Sequence, residues 1–281
     1  MFDLDDNELL EYIKEDVPYF DLTTYIQEAG YKRAKLEVYT REEVVVSCSR
    51  EASRIAQLLG CEVLTCVPER KMVKEGEVLL SFFGSYEKVH QAWKLTQVLL
   101  EYSCRIATYT TAMIKAIEEV NPTCELLATR KSFPFAKRLC IKAIMDGGAL
   151  PHRLGLSESV LFFAQHRSIY ENDAAFYKEI SKLKIKVPEK KMVVESETFE
   201  DSVALMQHGV DVLQLDKVDL ETLKKIVAYK KENFLHVKTL MAGGVNLKNA
   251  KEYASCGIDG IVTSALYGQG MANIGTRMSI L

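Results

Sequence analysis

The order of hydrophobic and polar positions divides the chain into two parts. In the first hundred residues, amphipathic stretches predict helices at 5–16 and 51–59. The stretch from Tyr86 to Glu119 lacks proline and glycine, and its apolar spacing predicts a long helix interrupted near Ser103. Turn signals, among them Pro18, predict a loop at 16–24 and a tight turn at 73–77. The predicted strands of this α+β module are 35–40, 43–48, 61–67 and 78–83.

From about residue 124, short apolar runs alternate with helical stretches, and this rhythm indicates parallel β/α units. The spacing is even and no G-x-G-x-x-G turn dominates, so the pattern favours a closed β/α barrel over an open Rossmann sheet. The seven predicted strands are 124–129, 143–147, 159–164, 191–196, 211–216, 237–241 and 259–263. The predicted helices are 135–142, 168–183, 198–208, 219–231 and 247–256.

Composition and charge then narrow the class of protein. A net charge of −3 and a pI near 6.0 argue against a nucleic-acid partner. The acidic N-terminus predicts no secretory signal, and no apolar run approaches the length that spans a membrane. The seven cysteines form no C-x-x-C pair, which is typical of small apolar residues in a reducing cytoplasm. We therefore expect a cytoplasmic protein with neither nucleic-acid nor membrane partners.

One basic stretch, Ala128 to Arg153, contrasts with the acidic balance of the whole chain. Between Thr129 and Arg153 it holds six lysine and arginine residues against one acidic residue, Asp146. Such a contrast suggests a site for a carboxylate or a phosphate. Three of the basic residues are predicted to lie on a helix surface, and these are Lys137, Arg138 and Lys142.

Chemically active residues recur where the predicted strands end. In β/α barrels the active site lies at the carboxyl ends of the strands, so these residues are expected to meet. In chain order the ends carry Arg130 and Lys131; Gly147 and Gly148 with His152 and Arg153; Gln165 and His166; Glu195; Asp216; Gly243 and Gly244; and Thr263, Ser264 and Ala265.

The two acidic residues at these ends are candidate ligands. Glu195 and Asp216 lie one β/α unit apart, so they can flank one ligand and hold Mg²⁺ or ribose hydroxyls. The alternative is a salt bridge from either acid to the basic rim. His152 and His166 are candidates for proton transfer, although an isolated histidine is often structural.

The glycine pair offers a phosphate site. Gly243 and Gly244 would let the backbone approach a ligand closely, and Asn246 is a candidate cap of the next helix, whose N-terminus favours a phosphate. Ordinary turn geometry also explains a glycine pair before a helix.

The motif series resembles the quinolinate phosphoribosyltransferase (nicotinate-nucleotide pyrophosphorylase) family along nearly the whole chain. The matching segments are Asp21-Leu22-Thr23-Thr24, Ile106-Ala107-Thr108, Thr129-Arg130-Lys131, Gly147-Gly148, His152-Arg153-Leu154-Gly155-Leu156, Glu195, Leu215-Asp216 and Gly243-Gly244. The resemblance implies an α/β fold with an N-terminal α/β sandwich at 1–108 and an open, incomplete β/α barrel at 109–267. The tail 268–281 is expected to pack with the sandwich. It also implies a homodimer or higher homo-oligomer, in which one protomer's first domain covers the barrel of the other.

The family's reaction joins quinolinate to phosphoribosyl pyrophosphate in NAD biosynthesis, releases pyrophosphate and carbon dioxide, and uses Mg²⁺. The resemblance implies that Glu195 and Asp216 hold the metal and the ribose beside the positive charge that develops at C1′. It implies a catalytic role for Lys131 as well. It assigns binding of the aromatic acid and phosphates to Arg130, His152, Arg153 and, from the neighbouring subunit, Lys94, and binding of the 5′-phosphate to Gly243, Gly244, Ser264 and Ala265. Arg105, where the family has a glycine, is a candidate to compensate for the substrate-contacting lysine that this chain lacks.

Three departures resemble the ModD branch of the family, which is associated with molybdenum transport systems. Phe163 stands where the family has a substrate-contacting lysine, Ala242 replaces a hydroxyl-bearing residue, and Arg105 replaces a glycine. A pyrophosphorylase acting on a different aromatic acid is the first hypothesis. The alternative is a non-catalytic accessory protein that binds an oxyanion such as molybdate on the same rim.

Overall fold

The computed structural model describes residues 2–281, which form two compact units. The first comprises the residues up to Thr111, Ser132–Gly148 and Tyr267–Leu281, and the second comprises Ala112–Lys131 and Ala149–Leu266. The segment 132–148, which the sequence assigns to the barrel, therefore belongs to the first unit. Within residues 2–281, no helix has both the length and the apolar composition needed to cross a membrane. All seven cysteines are free thiols.

The secondary structure consists of ten helices and thirteen strands within residues 2–281. The helices are α1 (Asp6–Asp16), α2 (Leu22–Ile26), α3 (Ser49–Leu58), α4 (Tyr86–Glu118), α5 (Lys137–Asp146), α6 (Ala164–Arg167), α7 (Asp173–Ile185), α8 (Phe199–Gln207), α9 (Leu220–Asn233) and α10 (Ala250–Ser255). The strands are β1 (Arg33–Thr40), β2 (Val44–Val45), β3 (Glu62–Cys66), β4 (Met72–Val73), β5 (Val78–Ser85), β6 (Glu125–Ala128), β7 (Leu150–Pro151), β8 (Val160–Phe162), β9 (Met192–Ser196), β10 (Val212–Asp216), β11 (Lys238–Ala242), β12 (Gly260–Thr263) and β13 (Ile274–Ile280).

The first unit is built on a four-stranded antiparallel sheet in the order β13-β1-β5-β3. Strand β1 alternates buried and partly exposed residues, so one face of the sheet covers a core. Leu36 and Val38 on that face join Ala52 and Ile55 of α3 in one hydrophobic cluster. The unit therefore has the helix-on-sheet arrangement expected of an α/β sandwich.

Three local predictions were wrong, each for a local reason. Helix α4 is continuous, because the Ser103 hydroxyl donates to the carbonyl of Leu99 one turn earlier, 2.8 Å away, and needs no break in the helix. The strand predicted at 143–147 is the end of α5, since a short apolar run fits a buried helix equally well. The predicted loop at 16–24 gives way to α2, where Asp21 accepts from the backbone N–H of Thr23 and caps the helix.

Lys142 was predicted to lie on a helix surface, and this prediction was also wrong. The residue is 5% exposed, and its Nζ lies 2.7 Å from Asp3 Oδ1, 3.0 Å from Glu69 Oε1 and 3.4 Å from Glu51 Oε1. Burial opposes the charged amine, but the hydrogen bonds to Asp3 and Glu69 outweigh it and raise the pKa of Lys142. Arg138 does lie at the surface, where it pairs with Glu8.

The second unit is a seven-stranded parallel sheet in the order β7-β6-β12-β11-β10-β9-β8. It ends at β7 on one side and β8 on the other, so the closed barrel favoured by strand spacing was wrong and the open, incomplete barrel is confirmed. Leu161, Val193 and Val212 from three neighbouring strands form a small apolar cluster, against which Phe163 and Leu240 pack. All strands run in one direction, and their carboxyl ends therefore lie at one edge of the sheet.

Candidate functional site

A cavity of about 490 Å³ lies at the carboxyl ends of the parallel strands. All of its lining residues belong to the second unit. Ten of the twelve residues predicted for the site line this cavity, and they are Arg130, Lys131, His152, Arg153, Glu195, Asp216, Gly243, Gly244, Ser264 and Ala265.

The carboxylates of the cavity are placed by two neighbouring strands. Glu195 on β9 is the register partner of Gln214 on β10, and Asp216 follows two positions later. Gln214 donates a hydrogen bond from Nε2 to Glu195 Oε2 at 3.2 Å. Burial, and then the negative charge of Asp216, raises the pKa of Glu195 above its ordinary 4.5. The two carboxylates are therefore close enough to repel each other.

The carboxylates of Glu195 and Asp216, on neighbouring strands, are of the ligand type that a magnesium ion takes when it also binds substrate phosphates. Mg²⁺ commonly takes one or two protein carboxylates and completes its shell with phosphate oxygens and water. Within residues 2–281, no group of three or more His, Cys, Asp and Glu side chains could hold a metal without such help. Glu195 and Asp216 are accordingly the residues that would hold Mg²⁺ together with a phosphorylated ligand.

Basic residues also line the cavity. Arg130 and Lys131 are exposed at the end of β6, whereas Arg153 is 8% exposed. Burial, and then the charge of Arg153, lowers the pKa of His152 below its ordinary 6.5. Burial, and then the charge of Arg130, lowers the pKa of Arg153. Positive groups that depress one another in this way are relieved by an anionic ligand.

Phe163 forms an apolar wall beside these cations. Its ring lies 5.7 Å from the guanidinium carbon of Arg153 and packs on the apolar cluster of the barrel interior. His166 stacks on the Phe163 ring at 5.7 Å between centroids, and its Nδ1 accepts a hydrogen bond from the Phe163 backbone N–H at 3.0 Å. His166 is exposed and does not line the cavity, so its contacts are those of a structural histidine.

The glycine pair forms a turn that lines the cavity next to Asp216. Gly243 and Gly244 have φ angles of +79° and +78°, and a Cβ on Gly243 would lie 2.6 Å from Asp216 Oδ1. The Thr263 hydroxyl donates to the Val245 carbonyl at 2.6 Å and accepts from the Ala265 backbone N–H at 3.0 Å, which fixes the neighbouring turn.

The predicted helix cap beside this turn was wrong. The Asn246 side chain accepts from the backbone N–H of Lys248 at 3.0 Å, whereas α10 begins only at Ala250. Asn246 therefore stabilises a turn that precedes the helix, and any phosphate site here rests on the glycine turn.

Lys94 and Arg105, the other two predicted site residues, belong to the first unit. Lys94 donates to Gln97 Oε1 at 3.1 Å and lies 4.6 Å from the centroid of the Trp93 ring. Arg105 donates from Nη2 to Glu42 Oε1 at 2.8 Å and to the Met271 carbonyl at 3.1 Å. Their predicted roles toward substrate remain predictions.

Sequence reasoning missed two polar residues of the cavity wall, Gln214 and Lys217. Gln214 carried a usable signal, because it is a polar residue inside the apolar strand run that ends at Asp216. Lys217 follows Asp216 directly, with its Nζ 3.8 Å from the Asp216 carboxylate and a φ of +54°.

Comparisons with known proteins agree with this architecture. Two family models match the chain, the N-terminal domain of quinolinate phosphoribosyl transferase over residues 21–104 and the C-terminal domain over residues 106–272. A relative from Rhodobacter capsulatus is 39% identical over 251 residues, which are 89% of this chain and 96% of the relative. It is named ModD, with an assignment as a pyrophosphorylase that is not established.

Solved structures show the same fold at low sequence identity. NadC from Streptococcus pyogenes superposes with a TM-score of 0.88 at 19% identity, over 99% of each chain. The nicotinate-nucleotide pyrophosphorylase from Francisella tularensis gives a TM-score of 0.87 at 18% identity, over 99% of this chain and 98% of that one. With both domain models matched in order along its length, the chain belongs to the quinolinate phosphoribosyl transferase family.

Proposed function

We propose that this chain is a Mg²⁺-dependent phosphoribosyltransferase that transfers phosphoribose from phosphoribosyl pyrophosphate to an aromatic acid and releases pyrophosphate. One observation carries the proposal. A single cavity brings two mutually repelling carboxylates together with a cluster of basic groups and a glycine turn. A ligand with a metal-bound phosphate, a ribose and a carboxylate matches all three features.

Each part of the cavity has a role in this transfer. Departure of pyrophosphate builds positive charge at C1′, and the carboxylates of Glu195 and Asp216 stabilise that charge while they hold the ribose. Mg²⁺, when bound, neutralises the leaving pyrophosphate. Lys131 and Arg130 attract the phosphates. The turns at 243–244 and 264–265 lie in the same cavity and would take the 5′-phosphate.

The acid is proposed to lie against Phe163, with its carboxylate on His152 and Arg153. An aromatic ring packs well on the apolar face of Phe163, while Arg153 stays available for a charged hydrogen bond. A second carboxylate directed at Phe163 would lose a cationic partner, worth about 1.5–3 kcal/mol. We therefore propose an aromatic acid other than quinolinate as the preferred substrate.

We also propose a homodimer or larger oligomer in which Lys94 enters the site of the neighbouring subunit, and a role beside a molybdenum transport system. Both steps rest on the family resemblance. Light scattering tests the first, since a monomer at working concentration would rule out a trans role for Lys94.

Pyrophosphate release from phosphoribosyl pyrophosphate and Mg²⁺, measured with a panel of aromatic acids that includes quinolinate, tests the proposal. We expect Lys131→Ala and Glu195→Gln each to lower turnover about 100-fold or more with the fold intact. Glu197→Gln is the matched control, because Glu197 is exposed two residues beyond Glu195 and does not line the cavity. Absence of turnover with every acid, together with tight molybdate binding, would instead favour the oxyanion-binding alternative.

A further inference from the structure

Gln214 is a buried residue of the cavity wall, and only one of the two polar atoms of its side-chain amide has a hydrogen-bond partner. The residue is 5% exposed and lines the cavity. Its Nε2 donates to Glu195 Oε2 at 3.2 Å, but its Oε1 is buried and has no hydrogen-bond partner within residues 2–281. Burying an amide oxygen without a donor costs free energy, so this oxygen needs an explanation.

Rotating the Gln214 side-chain amide by 180° would not give Oε1 a hydrogen-bond donor. The reversed amide would place Oε1 against the carboxylate of Glu195, where two acceptors would face each other. In the strand ladders Gln214 has Glu195 on one side and Leu240 on the other, and neither side chain offers a donor while Glu195 is ionised. Val212, two positions earlier on the same strand, belongs to the apolar cluster and offers no side-chain donor either.

We propose that Gln214 Oε1 accepts a hydrogen bond from an O–H or N–H group of the bound substrate, which makes Gln214 a specificity-determining residue. The inference rests on the proposed function, because it places the donor on a phosphoribosyl compound or on its acceptor acid. Gln214 lines the cavity beside Glu195 and Asp216, so a ligand group that reaches these three side chains meets acceptors and has to supply donors. The ribose hydroxyls and an amino group on the acid ring share this chemistry.

Paired ligands that differ by one donor distinguish the two sources. For the ribose, we would measure binding of ribose 5-phosphate and its 2-deoxy and 3-deoxy analogues by calorimetry. For the acid, pyridine-3-carboxylate and 2-aminopyridine-3-carboxylate would be titrated in the presence of ribose 5-phosphate, pyrophosphate and Mg²⁺. We expect the donor-bearing member of one pair to bind the wild-type chain about tenfold more tightly.

Gln214→Met keeps the length of the side chain and removes the acceptor, and Gln214→Leu serves if the first variant folds poorly. The inference predicts that the preference for the donor-bearing ligand falls to about twofold or less in the variant. A role limited to positioning Glu195 would weaken both members of each pair equally and leave their ratio unchanged. Gln207→Met, at the exposed end of α8, is the matched control and should keep the wild-type ratios.

The outcomes separate the inference from the function on which it rests. If the wild-type chain binds some of these ligands and every ratio survives in Gln214→Met, the inference is wrong while the proposed function stands. If the wild-type chain binds none of them, the proposed function fails and the inference falls with it.

Discussion

Replacing Lys142 by methionine should destabilise the first unit strongly. Methionine fills a similar volume but removes the charge that three carboxylates approach within 2.7–3.4 Å. The Glu51 and Glu69 side chains are only 2% and 5% exposed, so water cannot replace the lost amine. Asp3 is about half exposed and loses little.

The size of the loss depends on whether Glu51 and Glu69 can be neutralised, by a proton or by another cation, once the amine is absent. Removing one partner of a buried ion pair costs about 3–5 kcal/mol. Burial already raises the pKa of Glu51, which can take up a proton when Lys142 is absent. Burial also disfavours the charge of Glu69, but Lys142 and then Arg50 outweigh the burial and lower the pKa of the Glu69 carboxyl. In the variant Arg50 still contacts Glu69 Oε2, at 2.7 and 3.0 Å. We therefore expect a loss near the lower end, about 3 kcal/mol.

Urea unfolding followed by tryptophan fluorescence measures this loss where it occurs. The chain has one tryptophan, Trp93, and it lies in the first unit. Lys14→Met is the control, because Lys14 pairs with Glu11 on an exposed face of α1 in the same unit and should cost less than about 0.5 kcal/mol. Adding Glu69→Gln to Lys142→Met should recover part of the loss, since it removes the carboxylate left without its main partner. A loss below about 1 kcal/mol, or strict additivity in the double variant, would refute the reasoning.

Three further predictions concern the cavity. Gly243→Ala should lower the free energy of unfolding by more than Gly244→Ala, since both glycines have positive φ but only at Gly243 would a Cβ meet Asp216, 2.6 Å away; equal losses would contradict the close approach. The pKa of Glu195 is raised above its ordinary 4.5 in the folded chain, so the contribution of this group to the free energy of unfolding should fall as pH rises from 4.5 through the raised pKa. Urea titrations at successive pH values should therefore show a shallower fall for Glu195→Gln than for the wild-type chain. Phe163→Lys should tighten quinolinate binding about tenfold or more, by calorimetry, and unchanged affinity would show that the second carboxylate does not reach this position.

Periodicity alone predicted most of the second unit. The strand runs at 191–196, 211–216 and 259–263 lie within a residue or so of β9, β10 and β12, because buried parallel strands are short and apolar. It could not tell a closed barrel from an open one, since closure depends on which edge strands pair. Nor could it separate a strand at 143–147 from the end of α5, where Ile144 is buried in a helix.

The strand-end rule brought ten predicted residues to one cavity, but charge alone misjudged others. Lys142 and Arg130 belong to the same basic stretch, yet the first is buried among carboxylates contributed by distant parts of the chain. Its partner Asp3 lies 139 positions earlier, and no local pattern announces a contact of that separation. Gln214 was missed because an amide in an apolar strand carries no charge to mark it.

The two charged clusters differ in a way that separates a structural group from a binding site. Around Lys142 opposite charges meet, so the amine and Glu69 stabilise each other within the protein. In the cavity, like charges also lie close to one another. Burial and then Asp216 raise the pKa of Glu195, while burial and then Arg153 lower that of His152, and in the described chain, residues 2–281, no salt bridge joins either acid to Arg130 or Arg153. Within residues 2–281, the Lys217–Asp216 contact at 3.8 Å is the only salt bridge among the acids and bases of the cavity, and this weak pairing supports the proposed ligand that brings both signs of charge.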